Sequence, residues 1–469
     1  QRYMAYVLFG GVILVVLQGF FSVSLLGTVK NFISSKSSDH FMYYSQVYLK
    51  YCSMLLTLAL LSYYTLRIYK AVVTKEYDVK GFFARNAMII PLFAMLIWAF
   101  IALFRSPNFE KSLYGSGYIN EGFFTVLEYA TVFLAAYAVK DELKFSKEAV
   151  LWTFVIMAGI ICFIIWGSVV VRYNFGTNKM NGVFNNSNHY GYFLAMSTTA
   201  TFSLMVYTKN TKKLAVLSAL LALNMHNLLY CNTLGANLAF IVGIVFVLCS
   251  GYMTKKINTS SLLIALAVCG IVTIIDEASG ATHMWESYKT LLRDLGFIAD
   301  HTAGGDSNVD IVGTGRYSLW KRTIVVIKKV PWFGKGLDLY YRNNIYDTTL
   351  DVPHNEYLAI ASNIGIPGLV FYLITIVWWF AQAVQQKRNL SVADLALLAT
   401  SAAYMASAFT GNSFTYTYPY FLIFFAMSMQ HNKPVPTKYG DLQKLNTPQA
   451  MEERARESGS AENTDVKSI

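Results

Sequence analysis

Long apolar runs separated by short polar segments dominate the chain. The runs lie near 4–28, 45–66, 87–104, 121–139, 150–171, 188–208, 213–230, 234–253, 260–276, 357–381, 391–409 and 416–430. Most are close to the roughly 20 residues that an α-helix needs to cross the hydrocarbon core of a bilayer. The pattern therefore predicts an all-α polytopic membrane protein with about twelve transmembrane helices.

One long polar interval interrupts this series and suggests how the chain is organised. We expect transmembrane helices 1 to 9 in residues 1–276 and an extracytoplasmic loop with amphipathic helices in 277–353. Transmembrane helices 10 to 12 would follow in 354–431, and a disordered cytoplasmic tail in 432–469. The tail is rich in Lys, Glu, Ser, Pro and Thr, so it lacks the apolar area that a folded domain must bury.

Composition changes how the net charge is interpreted. Of the 469 residues, 55% are hydrophobic and only 14% are charged, whereas the formal net charge is +11. In a chain this apolar, basic loop residues report membrane orientation rather than a nucleic-acid partner. The basic residues occur in every second short loop: Arg67, Lys70, Lys75, Lys80 and Arg85; Lys140, Lys144 and Lys147; Lys209, Lys212 and Lys213; Lys255 and Lys256; Lys387 and Arg388. The positive-inside rule then places both termini in the cytoplasm and 277–353 outside.

The residues that usually hold a metal or cofactor do not form a recognisable pattern. Five cysteines lie in or beside apolar runs without CxxC or Cys/His spacing, so we interpret them as packing residues. No P-loop, GxSxG or HExxH motif is present, and no DxD pair lies in an outer loop. We therefore expect neither a cofactor nor a metal.

The first segment with candidate chemistry connects two apolar runs between Arg172 and Tyr190. It contains six asparagines together with Arg172 and Lys179, and it leads directly into an apolar run. Amides and cations at a helix N-terminus can bind sugar hydroxyls and phosphates, which makes Arg172, Lys179, Asn186 and Asn188 candidate binding residues. The alternative is that Ser187 or Asn188 only caps the helix.

The second segment runs from Gly313 to Gly368. Arg316 follows a Gly-Thr-Gly turn and opens an amphipathic pattern of Leu319, Trp320, Ile324 and Ile327. This helix should end at Pro331, because proline has no backbone N–H to donate. A further helix is expected to start at Pro353, since proline suits the first helical position.

Arg316 and His354 are the strongest candidates in this segment. The guanidinium of Arg316 matches a phosphate in a bidentate manner, and the unperturbed pKa of histidine suits general-base catalysis by His354. Each has an ordinary alternative, because a loop arginine is often only solvated and an interfacial histidine often only bonds to a neighbouring loop. Within the apolar runs, Glu128 is a secondary candidate, since ionisable residues in membrane helices are costly.

The ordered set of motifs resembles the bacterial O-antigen ligase and polysaccharide polymerase family. The resemblance covers about 190 residues and rests on these segments: Gly182-Val-Phe-Asn-Asn-Ser-Asn-His-Tyr190, Gly315-Arg316 with Trp320, Pro331-Trp-Phe-Gly-Lys-Gly336, His354-Asn-Glu-Tyr-Leu358 and Gly365-Ile-Pro-Gly368. Two departures stand out. Lys179 occupies a position where the family often has arginine, and Thr233-Leu-Gly235 lacks the arginine of the family's serine-arginine-glycine stretch.

The resemblance implies a metal-independent, inverting glycosyltransferase of the membrane-embedded GT-C-like kind. Such enzymes move a glycan from an undecaprenyl-diphosphate carrier to an acceptor hydroxyl, here at the outer face of the bacterial cytoplasmic membrane. By this resemblance His354 takes the acceptor proton, Arg316 holds the diphosphate, and Asn355 and Tyr357 contribute to substrate binding.

Two questions stay open at the level of sequence. The acceptor can be a lipid A core, as in a ligase of lipopolysaccharide biosynthesis, or a second carrier-linked repeat, as in a polymerase of capsule or other surface polysaccharide. A transporter or flippase of the same lipid-linked oligosaccharide is the alternative function, and it predicts polar residues along a central path through the helices. The candidate groups gather instead in two loops, which favours the enzyme over both a transporter and a membrane scaffold.

Overall fold

The computed structural model describes residues 2–24, 37–74, 79–115, 120–172, 184, 186–294, 316–339, 352–412 and 415–431. These residues form α-helices joined by turns and loops, with no β-strand among them. The all-α prediction is confirmed, whereas the tail predicted for 432–469 lies outside the described residues.

The helices follow the apolar runs closely. In chain order they are α1 (Arg2–Val16), α2 (Gln18–Ser24), α3 (Ser37–Thr74), α4 (Val79–Arg85), α5 (Ile90–Leu103), α6 (Phe109–Tyr114), α7 (Phe123–Val139), α8 (Ser146–Arg172), α9 (Ser187–Tyr207), α10 (Thr211–Tyr230), α11 (Leu234–Thr254), α12 (Thr259–Ala278), α13 (Met284–Asp294), α14 (Arg316–Lys329), α15 (Glu356–Gln385), α16 (Val392–Ser407) and α17 (Tyr418–Ser428). A 3-10 turn, Ala87–Ile89, leads into α5.

The described helices are those of a polytopic membrane protein. Six of them, α3, α8, α10, α11, α12 and α15, contain stretches long and apolar enough to cross a bilayer. Shorter apolar helices are α1, α5 with its 3-10 turn, α7, α16 and α17. The membrane fold class is therefore confirmed, and the count of twelve spans stays a prediction.

The centre of the bundle is α9. Every residue of this helix except Asn188 is buried, and it packs against α10, α11 and α16. Its Ser and Thr side chains are small enough to allow close helix packing. Hydroxyl groups bond back to the helix itself, as in Thr201 to Ser197 O at 2.7 Å and Ser203 to Thr199 O at 2.7 Å. A polar sequence is thus accommodated because the helix is surrounded by protein.

The first apolar run differs from the single span that the pattern predicts. It is divided at Leu17 into α1 and α2, and Gln18 follows the break. The Gln18 amide is fully buried and donates to Ser45 O at 3.2 Å and Thr415 O at 2.8 Å. A buried polar amide needs such partners, which explains why the run is interrupted there.

A docked turn joins α14 to α15. The helix α14 ends at Lys329, just before Pro331, as predicted. Beyond it, Lys335 N donates to Ser362 O at 2.8 Å and Gly336 N donates to Asn363 O at 3.1 Å. These carbonyls are available because α15 is kinked at Gly365, which has φ 86°. A Cβ at Gly365 would collide with the backbone of Trp332, so glycine permits this close approach.

One local prediction about this region is wrong. Helix α15 begins at Glu356 rather than at Pro353, because Asn355 is the N-cap and accepts from Leu358 N at 3.0 Å. The buried residues of α14 are Thr323 and Val326, whereas Ile324 is 41% exposed. The docking of α14 on α15 selects this stripe, which lies beside the one that the apolar periodicity indicates.

Candidate functional site

Arg316 lies at the first residue of α14 and reaches the first turn of α9. Its Nη2 donates to Asn188 Oδ1 at 3.3 Å, and its side chain is only half-buried. Asn186, the N-cap of α9, accepts from Asn188 N at 2.7 Å and so fixes the start of that helix. Within the described part of the chain, no carboxylate lies within ion-pair distance of Arg316. Its described partner is therefore a neutral amide.

His354 lies in the turn just before α15. Its φ is 47°, a left-handed conformation that few residues other than glycine adopt. Trp320 of α14 holds the turn on one side, since its Nε1 donates to Pro353 O at 2.9 Å. Glu356 N donates to Ala408 O at 2.9 Å and ties the turn to the end of α16. The Arg316 helix and the His354 turn are thus bonded directly to each other.

The imidazole of His354 faces a second polar group that comes from far along the chain. Asn412 Nδ2 lies 3.5 Å from His354 Nδ1, and Asn412 itself is only 6% exposed. His189 of α9 is close enough for its charge to interact with that of His354, and its Nδ1 is hydrogen-bonded to Tyr416 Oη. Asn412 and helix α9 therefore both approach the His354 ring.

A cavity of about 180 Å³ begins beside this group, because Asn412 borders both the cavity and His354. The polar residues at its near end include Glu121, Glu356, Asn363 and Asn412. Farther along, it becomes an apolar slot between α5, α7, α15 and α17, lined by Leu92, Phe93, Leu96, Phe133, Leu134, Leu422 and Phe425. The cavity thus combines a polar mouth with a hydrocarbon-like interior.

The two carboxylates at the mouth are held by tyrosines. Glu356 is 2% exposed and accepts from Tyr372 Oη at 3.1 Å and from Tyr404 Oη at 3.0 Å. Glu121 Oε1 accepts from Tyr129 Oη at 2.6 Å. The sequence analysis did not single out Glu121, and Glu356 entered it only as part of the motif that starts at His354. Their place at the edge of apolar runs was the available signal, because ionisable groups there are costly.

The other predicted binding residues fall into three groups. Asn186 and Asn355 cap helices, and Tyr357 Oη donates to Met405 O at 2.9 Å, so all three support the elements that carry the site. Glu128 lies on α7, half-buried, where its charge interacts with that of Lys50. The side chains of Arg172 and Lys179 lie outside the described residues. The roles predicted for all of these residues remain predictions.

Candidate metal ligands are not clustered in the described part of the chain. No group of three or more His, Cys, Asp and Glu side chains there is arranged to hold a metal ion. The described chemistry of the site therefore consists of a cation, an imidazole, amides, carboxylates and tyrosines.

The comparison with protein families agrees with the motifs. Residues 217–373, which extend from α10 into α15, match the family model described as O-antigen ligase (Wzy_C). No curated protein matches the chain. The family match includes Arg316, Trp320 and His354, whereas Asn188 and Asn412 reach the same site from outside the matched stretch. Residues 217–373 of this polytopic membrane protein are therefore similar to the O-antigen ligase family, in agreement with the ordered motifs.

Proposed function

We propose that the protein transfers a glycan from an undecaprenyl-diphosphate carrier to an acceptor hydroxyl, at the outer face of a bacterial cytoplasmic membrane. The family match supports a glycan-transferring enzyme in general. The observation that carries the finer proposal is the direct bonding of two candidate elements. Trp320 connects the helix that starts at Arg316 to the turn that contains His354, which supports the proposal that the cation and the imidazole act at one site.

In this reaction His354 takes the proton of the acceptor hydroxyl as its oxygen attacks the anomeric carbon of the donor sugar. The new glycosidic bond forms while the bond from that carbon to the diphosphate oxygen breaks. Attack opposite the leaving group inverts the anomeric centre. The products are the extended or ligated glycan, undecaprenyl diphosphate and a protonated His354, which then returns its proton to solvent. No metal takes part in the proposed steps.

Arg316 would stabilise the leaving group. Negative charge grows on the diphosphate as the bond breaks, and a positioned guanidinium stabilises the transition state more than the ground state. Arg316 is suited to this role because its described partner is the neutral amide of Asn188, at 3.3 Å. Arg172 and Lys179 are proposed to add further positive charge, and Asn188 to bind the sugar or diphosphate oxygens.

The apolar slot suits the carrier's isoprenoid chain. The diphosphate connects this chain directly to the reacting sugar, so hydrocarbon must begin within a few bonds of the attacked carbon. The slot begins at Asn412, which contacts His354, and continues among Leu96, Phe133 and Phe425. Burial of a chain along such a surface contributes roughly 0.8 kcal/mol per CH₂ transferred from water, although much less when it is transferred from lipid.

The orientation follows from the basic loops. Helix α7 runs from the mouth of the cavity at Glu121 to Lys140, about 25 Å for its length at 1.5 Å per residue. Lys140, Lys144 and Lys147 lie in a loop that the positive-inside rule assigns to the cytoplasm. His354 and Arg316 would then lie at the outer face, together with the acceptor.

The test is release of undecaprenyl diphosphate from a carrier-linked glycan by the protein in lipid nanodiscs, with candidate acceptors added one at a time. We expect His354→Ala to lower the transfer rate by on the order of 10²–10⁴-fold, the usual contribution of a general base. His431→Ala is the matched control, because His431 lies near Lys140 at the other end of α7. Normal turnover by His354→Ala would exclude the base assignment.

Two further measurements complete the design. Analysis of the product separates one-time attachment to a terminal acceptor from chain growth on a second carrier-linked repeat. A chelator should leave the rate unchanged, and strong inhibition that added metal reverses would contradict the metal-independent mechanism. Absence of any carrier release with a broad set of acceptors would contradict the proposed function as a whole.

A further inference from the structure

A histidine can act as a base only if the nitrogen that faces the acceptor carries a lone pair. In neutral imidazole one ring nitrogen bears the hydrogen and the other does not, so the tautomer decides which side can take a proton. Catalytic bases are therefore usually oriented by a third group that bonds to the opposite nitrogen. Such a group for His354 must lie at the ring and have an acceptor oxygen.

Asn412 is placed to be this group. Its amide lies against His354 Nδ1, with Nδ2 at 3.5 Å, and its Oδ1 is buried without a hydrogen-bond partner among the described residues. A buried acceptor that is left unsatisfied destabilises the folded state, because it has lost its hydrogen bonds to water. Oxygen and nitrogen of an amide have nearly the same size, so the group can turn by half a rotation within the same space. Turning it brings Oδ1 to His354 Nδ1.

The turned amide leaves fewer buried polar groups without a hydrogen bond. Oδ1 can then accept from Nδ1–H, which gives this buried oxygen a partner, and Nδ2 takes the place that Oδ1 had. Glu121 and Glu356 line the same cavity as Asn412, and an ionised carboxylate only accepts hydrogen bonds. An N–H at this position therefore suits the acceptor groups of the protein around it.

We propose that Asn412 is the positioning residue of His354. Its Oδ1 accepts a hydrogen bond from Nδ1–H, which holds the imidazole as the Nδ1–H tautomer and leaves Nε2 to take the acceptor proton. This assignment rests on the proposed function, in which His354 is the base. It adds a residue that lies outside the matched family stretch, 58 positions farther along the chain than the histidine.

The surrounding helices hold Asn412 in place. Tyr192 of α9 donates to Thr410 O at 2.6 Å, and Gly411 lies so close to the Tyr192 ring that a Cβ there would collide with it. The same helix carries Asn188, the partner of Arg316. One buried helix thus positions both the group that orients the base and the amide beside the cation.

A neutral amide is the suitable orienting group in these surroundings. Among the described residues, the titratable groups around this site include His189 and Tyr416, and the cavity that Asn412 lines also contains Glu121, Glu356, Tyr129, Tyr372 and Tyr418. Arg316 is bonded to Asn188, the residue before His189. A carboxylate in place of the amide would raise the pKa of His354 and keep more of the base protonated near neutrality. The amide fixes the tautomer without that effect.

The direct test observes the tautomer. We would record ¹⁵N NMR spectra of ¹⁵N-histidine-labelled protein in nanodiscs, with the His354 signals assigned by their loss in His354→Gln. Wild type should show a protonated Nδ1 and a bare Nε2. Asn412→Ala should give a mixture of both tautomers, and Asn412→Asp should restore the single tautomer. A bare Nδ1 in wild type, or an unchanged tautomer in Asn412→Ala, would overturn the proposal.

The kinetic test separates positioning from binding. Asn412→Ala should lower kcat at least about 10-fold, but by less than the roughly 10²–10⁴-fold that a whole base supplies, with affinity for undecaprenyl diphosphate unchanged. Asn412→Asp should recover part of the rate and move the acid limb of the pH–rate profile upward by about one pH unit. Asn86→Ala, near Lys140 at the far end of α7, is the matched control.

The outcomes distinguish this inference from the proposed function. If Asn412→Ala lost undecaprenyl diphosphate affinity as strongly as Arg316→Ala, the amide would be a substrate ligand and the positioning role would be excluded. If wild type released no carrier with any acceptor, the proposed function would fail. The NMR measurement would still decide which tautomer Asn412 selects, because it needs no substrate.

Discussion

Two polar clusters lie at opposite ends of α7, and each combines a histidine, a cation and an asparagine. At one end, Lys140 Nζ is 2.7 Å from Asp141, and His431 Nε2 is 2.6 Å from the same carboxylate. Tyr137 Oη donates to Asn86 Oδ1 at 2.9 Å. At the other end, Arg316 has an amide as its described partner, and Asn412 keeps a buried oxygen without a described partner. The charged groups of the first cluster pair with one another, so we call it the closed cluster. The cation of the second cluster has no charged partner among the described residues.

The electrostatics of the closed cluster show what internal pairing does. Burial lowers the pKa of Lys140 to about 8, although the neighbouring charge of Asp141 raises it. Burial alone would raise the pKa of Asp141, but the hydrogen bond from His431 and the charge of Lys140 hold that pKa well below its usual range. Each group thus compensates another. A cation that lacks such a carboxylate, as Arg316 does among the described residues, remains available for an anionic ligand.

The largest expected effect comes from removing the uncompensated cation. Arg316→Ala should lower kcat/KM by about 10²–10³-fold, because one positioned donor to a developing negative charge is worth this much. Thermal unfolding should hardly change, since the residue has no described ion pair to lose. The kcat/KM of Arg316→Lys should lie between those of wild type and Arg316→Ala, because lysine keeps the charge but loses the bidentate fork. Equal losses of stability and activity in Arg316→Ala would remove the contrast between the two clusters.

Removing a charge from the closed cluster should lower stability and leave glycan transfer unchanged, the opposite of what is expected for Arg316→Ala. Asp141→Asn removes the carboxylate that pairs with Lys140, which is 3% exposed. We expect a loss of about 1 kcal/mol of stability, because Asp141 is half-exposed and Lys140 can lose its proton instead. The folded-state pKa of Asp141 is depressed, so its contribution is present above the unfolded pKa and disappears as the pH falls through the folded value. Glycan transfer should be unchanged, and a large drop in kcat would show that this end also acts in catalysis.

The smallest expected effect tests a buried cation in the docked turn. Lys335 is 3% exposed and donates to Leu339 O at 2.8 Å; burial lowers its pKa to about 7, although Asp338 opposes the shift. Between that value and the ordinary 10.5 the unfolded chain binds more protons, so stability should rise with pH across this window. Lys335→Met should flatten the dependence, measured by thermal unfolding at about pH 7 and about pH 9. An unchanged slope would show that Lys335 keeps its charge when folded.

Much of the helical framework was predictable from local pattern. The boundaries of α9 to α12, α16 and α17 lie within a few residues of the apolar runs, because an apolar stretch of this length has few alternatives to a helix in a membrane. The end of α14 before Pro331 follows from proline chemistry in the same way. The start of α15 did not follow, because the asparagine cap at Asn355 prevailed over the proline two residues earlier.

The candidate site likewise contains residues that the sequence could identify and residues that it could not. Arg316 and His354 were found from sequence because each lies in a polar motif beside an apolar run and has a side chain suited to a diphosphate or a proton. Asn412, His189 and Glu121 were missed. Each is an ordinary residue at the end of a helix or run, and only its neighbours make it part of the site.

By itself, the sequence determined that the chain is a helical membrane protein with two polar segments that resemble an O-antigen ligase, because apolar length and motif order are properties of the chain. The tertiary structure alone decided which polar groups meet. The Asn188 amide reaches Arg316 across 128 positions, and the Asn412 amide reaches His354 across 58. Such contacts depend on how α9, α15 and α16 pack, and packing is set by the summed fit of many side chains rather than by any local pattern.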